Sequence, residues 1–143
     1  ANLRAASKTG AVLDAFAWRT PADNPFMTTA EHAAAPFLAE MPARDPRAPG
    51  QFAFADGDRV SRILSDSGWK GIDLEPADVA CSFPVAGLVP FLTRLGPVGL
   101  ALKDADEATR ARVIDTVRAA FDPFVEGDAV RYVAACWRLH ATA

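Results

Sequence analysis

The side chains of this 143-residue chain that could do chemistry are few. His32 and His140 are its only imidazoles, and imidazole is the side chain whose ordinary proton affinity suits a general base near neutral pH. His32, in a proline-rich stretch, is the better candidate base. A lone histidine among alanines also reads as a solvated helix residue, and His140 is expected just past the last strand. Asp14 is a charge inside an apolar strand-like run, and two readings stay open for it: projection toward a cofactor's side of the sheet, or pairing with a basic neighbour. Cys81 and Cys136 are too few and too far apart in sequence for a zinc ligand set. They read as buried thiols in a reducing, cytoplasmic setting, with a disulfide between neighbouring strands left open.

Composition narrows the partners. Lys and Arg number 15 against 18 Asp and Glu, for a net charge of −3. The cations are scattered, so no basic stripe exists to neutralise a phosphate backbone, and nucleic acid is not expected. The longest apolar runs, such as residues 85–92, are broken by Gly87 and Pro90 and fall short of the roughly 20 residues a membrane span needs. At 50% hydrophobic, the chain can fill one sizeable core.

The elements that must position these residues follow from the pattern. Residues 2–6 read as the end of a helix, Lys8-Thr9-Gly10 as its stop, and residues 11–18 as a mostly apolar strand. A helix, a glycine turn and a buried strand at the opening imply a parallel sheet whose earlier strands are absent. Residues 19–50 hold Pro21, Pro25, Pro36, Pro42, Pro46 and Pro49, which forbid one long helix, although residues 30–41 suit a short one. This Pro-rich segment is expected to be a surface cover. Residues 58–68 predict a helix with Asp58 as N-cap, Val60, Ile63 and Leu64 on its apolar face, and Gly68 just past its end. Residues 69–83 predict a strand broken near Pro76. Helical segments follow over 85–95 and 97–103, then a long helix capped by Asp104 or Asp106, with Ala108, Val113, Ile114, Val117 and Phe121 apolar. Pro123 and Gly127 end it, and residues 129–140 predict a final strand.

These residues carry a resemblance. Gly10-Ala11-Val12-Leu13-Asp14-Ala15-Phe16-Ala17-Trp18-Arg19, followed by Asn24-Pro25-Phe26, is similar to the fifth strand and following loop of class I S-adenosylmethionine-dependent methyltransferases, in the small-molecule branch of the ubiquinone and menaquinone enzymes. Phe52-Ala53-Phe54-Ala55-Asp56, with Val60, Leu64, Gly68 and Trp69, resembles that branch's next helix, which enters the sixth strand at Ile72. Ala1-Asn2-Leu3-Arg4 matches the end of its preceding helix. The implied fold is α/β: the C-terminal part of a Rossmann-like class I methyltransferase fold, strands five to seven, with a helical insertion over residues 85–125 before the last strand. Residues 1–143 would form a single partial domain. The last strand would lie antiparallel between the fifth and sixth.

The resemblance further implies methyl transfer to a small, largely apolar metabolite. The loop after the fifth strand borders the family's substrate cavity, so Trp18, Arg19, Asn24 and Phe26 are the implied substrate-lining residues. Against this, Trp18 can simply cap the core, and Asn24-Pro25 is also ordinary turn chemistry. The family's glycine-rich cofactor loop has no counterpart in this sequence. Gly96-Pro97-Val98-Gly99 follows a helix rather than a strand. S-adenosylmethionine is therefore expected in the parent protein and not on this chain alone, whose partner would be the missing N-terminal half or another copy of the chain. A second hypothesis is a non-enzymatic assembly module that pairs through its exposed first strand.

Overall fold

The computed structural model describes residues 2–38, 48–94 and 96–143. Ala1, Leu95 and residues 39–47 lie outside the described residues, and with them the end of the helix expected over 30–41, Pro42 and Pro46. In chain order the elements are α1 Asn2–Ala6, β1 Val12–Trp18, α2 Pro25–Ala34, α3 Gly57–Asp66, β2 Lys70–Pro84, α4 Leu88–Arg94, α5 Gly96–Ala101, α6 Glu107–Ala120, β3 Val125–Glu126 and β4 Ala129–Thr142. The fold is mixed α/β around a four-stranded antiparallel sheet. Its order is β1-β4-β2, with β3 also paired to β4. The last strand thus lies between β1 and β2, where the resemblance puts it, and runs antiparallel to β1 with Val12 opposite Thr142 and Trp18 opposite Cys136. The parallel neighbours inferred from the opening of the chain are not among the described strands.

Local chemistry explains where the boundaries depart from expectation. Helix α2 begins at Pro25, five residues before the expected start at Ala30. Proline suits a first helical position, since its fixed φ is pre-set and its missing N–H has no intrahelical acceptor there. Asp56, rather than Asp58, caps α3, its carboxylate accepting from the Arg59 N–H at 3.0 Å. Gly68, at φ 88°, stands past the helix end as expected. Asp106, not Asp104, caps α6, accepting from the Thr109 N–H at 2.8 Å. Strand β2 runs through Pro76 without the expected break. It ends the sheet order, and an edge strand tolerates a residue that cannot donate to a ladder. His140 lies within β4 rather than past it.

The chain divides into two compact units, one of Ala1–Asn24, Asp45–Val79 and Ala134–Ala143, the other of Pro25–Arg44 and Ala80–Val133. In the first, α3 buries Val60 and Leu64 against Trp69, Leu139 and Ala141, with Leu13, Ala15, Ile72 and Leu74 packed around them. Strand alternation supplies this core: Leu13 and Ala15 face it, while Val12 and Phe16, on the opposite face, are 56% and 65% exposed. Each buried Val or Leu contributes about 1.5–3 kcal/mol.

In the second unit α6 packs on α2 and α4, and α2 on α5. Phe26, 3% exposed, is the hub of this core. Its ring stacks on Tyr132 at 3.9 Å and meets Phe121 and Phe124 edge-on at 5.1 and 5.3 Å, geometries that aromatic quadrupoles favour. Gly99 lets α5 pack closely on the end of α4, since a Cβ there would come within 3.0 Å of the Arg94 carbonyl carbon and the Thr93 carbonyl oxygen. No helix among the described residues is long and apolar enough to cross a membrane.

Candidate functional site

The C-terminal end of β1 and the loop behind it bring together Arg19, Thr20, Asp23 and Asn24 of the first unit. The strand closes on Trp18, half-buried opposite Cys136. One residue on, the Arg19 N–H donates to the Ala135 carbonyl at 2.9 Å, which continues the ladder to β4. The chain then turns on a Thr20–Asp23 exchange: the Thr20 hydroxyl donates to Asp23 Oδ2 at 2.6 Å, and the Asp23 N–H returns a bond to that hydroxyl at 3.2 Å. Such side-chain-to-backbone closure is what Thr and Asp supply in turns. The Thr20 hydroxyl, aided by the Arg19 charge, holds the Asp23 carboxyl below the usual carboxylate range.

Asn24 closes the loop. Only 1% exposed, it donates from Nδ2 to the Ala135 carbonyl at 2.9 Å and accepts the Ala135 N–H on Oδ1 at 2.9 Å. Its second amide hydrogen reaches the Thr20 carbonyl at 3.1 Å. The side chain thereby imitates a strand residue and fastens the loop to β4. Its polar atoms are engaged by main chain, so holding the loop is the role its geometry displays.

Arg19 is the cation of this site. Its guanidinium lies 5.9 Å from the centroid of Trp137, within cation–π range. Nη1 is 3.4 Å from Asp78 Oδ1 on β2, and Nε is 3.8 Å from Asp23 Oδ2. That last distance is too long for a hydrogen bond. Nε is buried without an acceptor among the described residues, and the Asp23 oxygen nearest it is already engaged by Thr20. Trp137 is itself fixed, its indole N–H donating to the Ala55 carbonyl at 2.9 Å. Of the expected lining residues, Trp18, Arg19 and Asn24 thus meet around residues 135–136 of β4. Phe26 belongs to the second unit, inside the aromatic core described above.

The candidate base His32 is exposed on α2. His140 pairs across strands with Asp14, Nδ1 to Oδ1 at 2.8 Å, on the exposed face of the first unit's sheet; of the two readings of Asp14, pairing with a basic neighbour is the observed one. Cys81 and Cys136 form no disulfide; Cys136 is buried as expected, whereas Cys81 is only half-buried. No group of three or more His, Cys, Asp or Glu among the described residues could hold a metal ion.

Sequence reasoning missed Asp78, Asp23 and Trp137, which complete the setting of Arg19. It also missed a groove of about 400 Å³ in the second unit, lined by Ala80, Cys81, Ser82, Glu126, Arg131, Tyr132 and Val133. Burial, and secondarily the Cys81 thiol, push the Tyr132 hydroxyl above the ordinary tyrosine pKa. Arg131 and Glu126 pair across β3 and β4 at 3.2 Å. No local signal announces such meetings, because they are made by strand register. Compared with known proteins, the chain matches no family model and no curated protein.

Proposed function

We propose that this chain is the substrate-side, C-terminal half of a class I S-adenosylmethionine-dependent methyltransferase that acts on a small, largely apolar metabolite at oxygen, nitrogen or carbon. The observation that carries the reading is the strand order β1-β4-β2 with β4 antiparallel to β1, the arrangement that the resemblance requires of strands five, seven and six. The character of β1 supports it. Val-Leu-Asp-Ala-Phe-Ala-Trp has apolar residues on both faces, as a strand flanked and covered on both sides does. The edge strand β2 instead carries Asp73, Glu75, Pro76 and Asp78, the features that guard a natural sheet edge.

The residues of this chain do not fit the cofactor. It has no Gly-x-Gly-x-Gly turn, and Gly96 to Gly99 belong to helix α5, packed on the end of α4. The contribution of this half is then positional. Trp18 and Arg19 border the acceptor's place, Asn24 and the Thr20–Asp23 turn hold them there, and such orientation supplies much of the acceleration in a displacement that needs an in-line approach. His32 is the candidate base.

The coding sequence upstream of Ala1 tests the reading. A strand followed by Gly-x-Gly-x-Gly supports it, and a start codon directly before Ala1 overturns it. One observation favours the second reading, an assembly module: Val12 and Phe16 are exposed beside the edge of β1 that pairs with no strand among the described residues.

A further inference from the structure

We draw no further inference here: the strongest candidate, the outer edge of β1, unpaired among the described residues and with Val12 and Phe16 exposed beside it, belongs to the reading already proposed, and nothing in the structure shows what covers it.

Discussion

Replacing Asn24 by alanine removes the clamp between the loop and β4, and its cost follows from the bonds lost. Two 2.9 Å bonds to Ala135 and one of 3.1 Å to the Thr20 carbonyl disappear. The Ala135 carbonyl keeps the Arg19 N–H, but the Ala135 N–H, in a residue 2% exposed, loses its acceptor. An orphaned buried donor costs about 1–3 kcal/mol, and a net hydrogen bond contributes about 1 kcal/mol. N24A is therefore expected to lose about 2–4 kcal/mol, a large part of the roughly 5–15 kcal/mol that holds a domain together. N24D should be no milder, because it keeps an acceptor for the Ala135 N–H but turns a carboxylate toward two carbonyl oxygens. The assay is urea unfolding followed by tryptophan fluorescence. Trp18, Trp69 and Trp137 are the only tryptophans, and all belong to the first unit, so the signal reports the unit in which the clamp lies. L3A, at a residue 68% exposed, is the control and should change stability by less than about 0.5 kcal/mol. If N24A melts within that margin of the parent, the amide is not holding the loop and the reasoning fails.

Further outcomes follow from the same geometry. F26A empties the hub of the second unit's aromatic core and should cost about 3–5 kcal/mol; loss of the near-ultraviolet signal of Tyr132, the only tyrosine, at lower urea than in the parent is the check, and an unchanged midpoint would count against that packing. T20V should let the Asp23 pKa rise toward its ordinary value, because the Thr20 hydroxyl is the largest cause of its depression. The sign is that of a lowered carboxylate: its contribution to stability is present above the unfolded pKa and is lost as pH falls through the folded one, and carboxyl-carbon NMR titration reads it. Tyr132 should ionise later than an ordinary tyrosine, burial being the first cause and Cys81 a lesser one, so C81A should return its pKa only part of the way. A raised pKa contributes stability below the unfolded value that is lost as pH rises through the folded one; absorbance at alkaline pH measures both, and a full return in C81A would show that burial is not the main cause.

Much of the fold was legible because it rests on local grammar. Residues 11–18 read as a strand and Val12–Trp18 formed one, and Gly68 stands past the end of α3 in the left-handed conformation expected of it. The place of β4 came from the resemblance, not from any local pattern. Boundaries slipped where a single residue type allows two uses. Pro25 opens a helix instead of delaying it, and Pro76 sits inside an edge strand instead of ending it. The pair Val125–Glu126 was too short a strand to show any period. The site was least legible. Asn24 was visible as a notable residue, but its partner Ala135 lies 111 positions away in sequence, and Asp78 reaches Arg19 only through the placing of β2. Registers between distant strands leave no trace in a window of a dozen residues, so the residues could be named while their company could not.

The most direct test of the central claim joins cofactor binding to the state of one strand edge. The Arg19 N–H donates to Ala135 and the Ala11 carbonyl accepts from Ala143. In an antiparallel ladder this turns the backbone groups of Val12, Asp14, Phe16 and Trp18 toward the open side of β1. The measurement is hydrogen exchange at those four amides, with S-adenosylmethionine titrated calorimetrically, for this chain and for the polypeptide that the whole gene encodes. The account predicts fast exchange and no binding heat for this chain, with protected amides and saturable binding for the whole polypeptide. A whole polypeptide that binds no S-adenosylmethionine and leaves those amides exchanging freely would contradict it.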